Sequence, residues 1–216
     1  MKIAILILAR GGSRGVLRKN VRLLKGRPLI SYVIEQAKKL PYPIYVSTED
    51  SEIKDVALGL GVQVIDRPLK LALDDSRSID AIKHAQRVIN ADYIVLLNAC
   101  CPLLLFQDIE NCVKIALETG CDSVTSLVED SSAHPSKVCN LIEGKIYPIN
   151  TSYSFQTGER QKLAPIFKRN TAIYVISKRN IRKGLIFDKN IRGYVMPESR
   201  SIDINSEFQL KLCELL

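Results

Sequence analysis

Residues 3–9, Ile-Ala-Ile-Leu-Ile-Leu-Ala, form an unbroken apolar run of strand length that ends on Arg10. A strand with one wet face alternates apolar and polar residues, so a run without a polar position must be covered on both faces. That requirement selects a sheet with helices on either side, and the following stretches supply them. Leu29-Ile30, Val33-Ile34, Ala37 and Leu40 repeat at helical spacing behind Pro28, a residue suited to a first turn. Residues 43–48 read as a second strand, 51–60 as a short helix stopped by Gly61, and 62–65 as a third strand. Ile79, Ile82, Ala85 and Ile89 mark a helix starting near 76–78. Residues 93–97 form a fourth strand, and Ile109, Cys112, Val113, Ala116 and Leu117 line the next helix. Strands alternating with helices predict an α/β fold with a mainly parallel sheet. The alternation changes after Asp122. Residues 123–149 predict shorter strands and a hairpin, and 150–169 a polar, basic loop. Residues 171–176 and 193–196 return as strands, and Ser206-Glu207-Phe208-Gln209 opens a last helix with a capping-box pattern. No repeat, low-complexity stretch or linker interrupts the pattern, so one domain over 1–216 is expected.

No apolar run reaches the length that crosses a bilayer, so no membrane partner is expected. The first apolar stretch is short and lacks a small-residue cleavage pattern, which suits a buried strand better than a leader. The six cysteines contain no C-x-x-C pair, and His84 and His134 stand apart, which argues against zinc. Reduced, mostly buried thiols and a cytoplasmic location are expected. Adjacent Cys100 and Cys101 read as pocket lining, because no histidine lies near them in sequence to activate a thiolate.

The net charge of +8 is unevenly distributed. Residues 10–27 hold Arg10, Arg14, Arg18, Lys19, Arg22, Lys25 and Arg27 with no acid. Residues 159–200 hold eleven lysines and arginines against three acids. Local positive fields of this kind imply anionic ligands. The second stretch reads equally well as a solvated face.

In open α/β sheets ligands bind beyond the carboxyl ends of the strands, which selects residues 9–20, 98–105 and 197–205. The first of these, Ala9-Arg10-Gly11-Gly12-Ser13-Arg14-Gly15, puts three glycines and two arginines directly after a buried strand. Glycines let backbone N–H groups approach oxygens closely, and guanidinium groups with Lys19 can neutralise a triphosphate. The loop is neither G-x-x-x-x-G-K-[ST] nor G-x-G-x-x-G. In Ser201-Ile202-Asp203-Ile204-Asn205 an extended chain turns Asp203 and Asn205 to one face, where they could hold Mg²⁺ or simply cap the helix that follows.

Further stretches accompany these in order: Val46-Ser47-Thr48-Glu49-Asp50, Arg67-Pro68 with Ser76 and Ser78, Arg160-Gln161, and Asn170-Thr171-Ala172-Ile173-Tyr174. Together with Arg10 to Gly15 and Arg18-Lys19-Asn20, they resemble the N-acylneuraminate cytidylyltransferases over essentially the whole chain. The resemblance implies a Rossmann-like, three-layer nucleotide-diphospho-sugar transferase fold and transfer of CMP from CTP to the anomeric hydroxyl of a sialic acid or related sugar acid, with release of pyrophosphate. It implies that Arg10, Gly11, Gly12, Ser13, Arg14 and Lys19 cradle the triphosphate. Asn20, Arg67 and Ser78 would hold the cytosine and ribose. Asn98, Arg160, Gln161 and Asn170 would face the sugar, with Arg160 on its carboxylate. Asp203, with Asn205, would hold Mg²⁺, and Arg10, Lys19 and Asp203 would carry the catalysis. It further implies a homodimer formed through an excursion at about 123–169, in which His134-Pro135 matches a His-Pro of the family's dimer-forming region.

The departures fall mainly on the sugar side. Asn98 stands where the family has Gln, Leu104 where it has Arg, Thr171 where it has Gly, and Asn205 where it has a second Asp. Elsewhere Arg14 replaces Lys and Leu17 replaces Pro. Two other readings stay open at this point. One is a nucleotidyltransferase for a different sugar acid or base. The other is a nucleotide- or RNA-binding module without turnover, although no nucleic-acid signature appears and aromatics are only 6%, so a nucleic-acid partner is not expected.

Overall fold

The computed structural model describes residues 1–13, 15–130, 132, 134–150 and 163–216. Strand β1 (Ile3–Leu8) is followed by a two-residue hairpin, β2 (Leu23–Leu24) and β3 (Arg27–Pro28), and by helix α1 (Leu29–Ala37). Then come β4 (Ile44–Thr48), α2 (Ser51–Gly59), β5 (Gln63–Asp66), α3 (Ser78–Gln86), β6 (Tyr93–Asn98) and α4 (Phe106–Thr119). The second half holds β7 (Ser123–Glu129), the hairpin β8 (Cys139–Ile142) and β9 (Lys145–Pro148), β10 (Phe167–Ser177), α5 (Lys178–Lys183), β11 (Ile191–Val195) and α6 (Glu207–Leu215).

Seven strands form one sheet in the order β11-β7-β10-β6-β1-β4-β5. Every pairing in it is parallel except the two made by β10. This is the mainly parallel mixed sheet expected from the alternation. The apolar run of β1 is covered on both faces: Ile3, Ile5 and Ile7 pack with residues of α1, α2 and α4, while Ala4 and Leu6 pack with α3 and α5. A third, smaller cluster joins Val16 of the glycine loop to Leu24, Leu29, Cys100, Ile204 and Leu210. That cluster ties the loop to residue 204 and so brings two of the candidate segments together.

Helix ends follow their local chemistry. Asp50 accepts the Ile53 N–H, Ser206 accepts the Gln209 N–H, and Gly120 and Gly184 close α4 and α5 with positive φ. The expected helix over 29–40 stops as α1 at Ala37, where Lys38 caps it. Three features depart from expectation. The β2–β3 hairpin turns on Lys25 and Gly26, both at positive φ, and a lysine there carries no turn signal. Helix α5 buries only Asn180 and Ile181 of its basic sequence, too few positions for a helical period. Strand β10 begins at Phe167, inside the stretch expected to be a loop, because β7 offers partners as far as Glu129.

Candidate active site

The glycine loop leaves the carboxyl end of β1 and folds back across it. A Cβ at Gly11 would come within 2.4 Å of Asp50 Oδ2, and one at Gly15 within 2.1 Å of the Asn205 carbonyl oxygen, so both glycines are demanded by close approach. A Cβ at Gly12 would meet nothing within 4 Å. The Gly11 N–H donates to Glu49 Oε1 at 2.7 Å. Glu49 in turn faces Arg67, whose guanidinium lies 3.3 Å from Glu49 Oε2 and donates to the Ser47 carbonyl at 3.0 Å. Arg67 is buried, which pushes its guanidinium below the usual arginine range, and Arg10 adds to the effect while Glu49 opposes it. Asn20, also buried, donates to the Arg10 carbonyl at 2.8 Å and receives the Cys100 thiol at 3.7 Å, so its amide closes the loop. Arg18 sits in the left-handed region and pairs with Asp50 and Glu52. Its hydrogen bonds hold the Asp50 carboxyl below the ordinary range.

Beside the loop lies a cleft of about 300 Å³ lined by Arg10, Arg67, Ser76, Ser78, Leu73 and Asp74, among others. Arg10 is clasped across it, donating to the Leu73 carbonyl at 2.9 Å and pairing with Asp74 at 2.9 Å. Ser13 is half-buried within the loop. Arg14, Arg160 and Gln161 lie outside the described residues.

A second cavity, of about 680 Å³, opens between the carboxyl end of β7, the start of β10 and α6. Asp203, Asn205, Asn170, Thr171, Arg169 and Phe208 line it. Asp203 Oδ2 accepts the Thr171 hydroxyl at 2.8 Å, and Asn98 Nδ2 lies 3.5 Å from both Asp203 Oδ1 and Thr171 Oγ1. Lys19 reaches over from the glycine loop and donates to the Ile204 carbonyl and to Asn205 Oδ1, each at 2.8 Å. Asn98 and Leu8 are register partners on β6 and β1, and Leu8 lines the smaller cleft. The two hollows therefore open on adjacent strand ends. Asn170 is buried and spends its amide on Ser126 and Ser201, which makes it part of the wall.

A family model described as "Cytidylyltransferase" matches residues 4–189. The chain belongs to the cytidylyltransferase family. It is 33% identical to the post-translational flagellin modification protein B of Campylobacter coli, across all of this chain and 94% of that protein. It is 31% identical to N-acylneuraminate cytidylyltransferase A of Danio rerio over 98% of this chain, which spans 50% of that relative's length. The relative of the same name from Streptococcus agalactiae serotype V is 29% identical, and the chain again spans about half of it, 51%. Among solved structures, a CMP:2-keto-3-deoxy-manno-octonic acid synthetase complexed with CTP superposes with a TM-score of 0.78 at 16% identity, covering 100% of this chain and 98% of that one. That likeness concerns the fold. The resemblance read from the motifs is thus matched by relatives of the same name.

Several residues of this cytidylyltransferase were not assigned a role from sequence. Glu49, at the carboxyl end of β4, orients both Gly11 and Arg67, and the strand-end rule applied to β4 would have singled it out. Thr171 carried no signal of its contact with Asp203, because its backbone conformation is set by tertiary packing. Leu104 is fully buried in the main core, so the position where the family has arginine is closed off from either hollow. Burial pushes the Cys100 thiol up to about 11 and Cys101 well above its ordinary value, which keeps both protonated and unreactive. His134 is buried and turns its Nδ1 to Ser136, 2.7 Å from the hydroxyl. Among the described residues no three His, Cys, Asp or Glu side chains converge as a metal cluster, and no helix is long and apolar enough to cross a membrane.

Proposed function

We propose that this cytidylyltransferase joins CMP from CTP to the anomeric hydroxyl of a sialic acid or a related nonulosonic acid, releasing pyrophosphate. The observation that carries this reading is the junction of two candidate segments: Lys19 of the glycine loop reaches residues 204 and 205, next to Asp203 in the lining of the larger hollow. The smaller hollow carries Arg10 and Arg67, and the larger one is wide enough for a nine-carbon acid. CTP would lie along the glycine loop with its base toward Arg67 and Ser78 and its triphosphate along Arg10, Gly11, Gly12, Ser13 and Lys19. The sugar acid would occupy the larger cavity, next to Asn98, with Arg160 and Gln161 supplied from outside the described residues. Displacement at the α-phosphorus needs alignment and charge neutralisation more than covalent help from the protein. Lys19, held by Asn205 and the Ile204 carbonyl, would balance charge developing on the leaving pyrophosphate.

The residues present fit Mg²⁺ held largely by substrate oxygens. Asp203 is half-exposed and accepts only from neutral donors, so it keeps lone pairs for a hard cation. Asn205 offers an amide oxygen, at present taken by Lys19. When bound, the ion would screen the phosphate charge that the attacking hydroxyl must approach. Self-association is supported by the β8–β9 hairpin, whose Leu141, Ile142, Ile146 and Tyr147 are all exposed. Six free cysteines, five of them buried, suit a reducing cytoplasm.

The test is pyrophosphate release from each nucleoside triphosphate against a panel of sugar acids, with Mg²⁺ present. Release with CTP and a nonulosonic acid supports the reading. CTP binding without release for any acid would replace it with a nucleotide-binding module.

A further inference from the structure

Thr171 adopts a backbone that its side chain disfavours. Its φ of 61° lies in the left-handed region, where a β-branched residue is an outlier and glycine is at ease. Neighbours impose the conformation. The Asn170 side chain is locked between Ser126 (2.5 Å) and Ser201 (2.9 Å), and Ser126 Oγ also accepts the Ile173 N–H at 2.9 Å. These contacts pin the chain on both sides of Thr171, and the β7–β10 register shifts between Arg169 and Tyr174. The bulge thrown out there turns the Thr171 hydroxyl onto Asp203 Oδ2. Glycine would fit the bulge without strain and make no such bond. Strain of this kind persists only where the surroundings over-determine it, and here it brings a donor to a carboxylate that lines the larger hollow.

We propose that Thr171 is a positioning residue: its hydroxyl holds one oxygen of Asp203 so that the rest of the carboxylate faces the transferred phosphate. The inference rests on the reading of Asp203 as the acid of the transfer site. Three variants test it. Thr171→Ser keeps the hydroxyl and should hold kcat within about twofold. Thr171→Val keeps the branch and loses the hydroxyl; it should lower kcat at least about tenfold, with KM for CTP within about twofold. Thr171→Gly should match Val in kcat yet melt roughly 2–8 °C above it, since only Gly relieves the backbone. A double cycle of Thr171→Val with Asp203→Asn, read by thermal melting alone, should be non-additive whether or not the protein turns over. Additive melting temperatures overturn the inference, as does a Val variant with wild-type kcat or a Ser variant as slow as Val. If Asp203→Asn keeps full rate, the role of Asp203 fails instead. If Asp203→Asn is inactive while Thr171→Val is not, this inference alone fails.

Discussion

In the cleft beside β1 each described arginine already has an anion within reach: Arg10 has Asp74, Arg67 has Glu49, and Arg77 has Asp80. Around the larger cavity the balance is different. Lys168 pairs with Asp130 at 2.6 Å, but Asp203, Glu129, Glu198 and Arg169 make no ion pair with any described residue, and Arg169 instead lies over the Phe187 ring at 5.0 Å. A ligand entering the first hollow must therefore compete with protein carboxylates, whereas one entering the second meets charges still to be satisfied. Competition of this kind favours a ligand dense in charge, because only strong charge-assisted contacts repay the exchange. A triphosphate meets that demand. The second hollow also presents Ser132, Thr171, Asn205 and Gln209, neutral polar groups that suit a ligand with many hydroxyls, and Arg169, a cation that suits a single carboxylate.

The comparison breaks first at Asp203. Asp203→Ala should abolish pyrophosphate release while leaving CTP binding measurable by calorimetry; a folded variant that keeps its rate at saturating Mg²⁺ would move the metal elsewhere. Next in size is a change in the frame of the larger cavity. Asp108 is fully buried and bonded to Arg200, at the turn that leads into Asp203. Burial pushes the Asp108 carboxyl up, but hydrogen bonds from Arg200, the Leu105 N–H and Tyr194 together hold it below its ordinary value. Arg200→Ala should destabilise the fold by about 3 kcal/mol at neutral pH, since it leaves a buried charge unpaired. A depressed carboxylate contributes stability above its unfolded pKa and loses it as pH falls through the folded value, so this deficit should shrink toward acid pH. Denaturant melts across pH 3–8, as a rough range, would check it.

Arg10→Ala should lower kcat/KM for CTP by about 1.5–3 kcal/mol, and Asp74→Asn should lower KM, because it removes the competing carboxylate. Steady-state kinetics with CTP varied decide both, and an Asp74→Asn protein with weaker CTP binding would end the comparison as framed. The smallest effect concerns the metal. Asn205→Asp should reduce the Mg²⁺ needed for half-maximal rate by a few-fold, as a second carboxylate strengthens a hard-cation site. The same variant gives Lys19 an ion-pair partner, so a higher Mg²⁺ requirement would mean that position 205 serves Lys19 and not the metal.

What patterning alone determined was the layered frame. An apolar run such as Ile3 to Leu8 cannot face water on either side, and helices such as α1 and α4 bury their periodic faces against it. Hydrophobic period and strand length are local properties, so they survive in a linear string. The glycine loop was legible for a similar reason, since glycines beside arginines at the end of a buried strand have few other uses. Tertiary structure alone decided the partners. Gly15 meets the carbonyl of Asn205, Lys19 reaches residues 204 and 205, and Thr171 is twisted onto Asp203 by the grip of Ser126 on Asn170. No local signal encodes these contacts, because each depends on where a segment distant along the chain comes to rest once the sheet has closed. The short basic α5 and the Lys25–Gly26 turn stayed hidden for a related reason, being held by packing and backbone geometry where their own sequence carries no period.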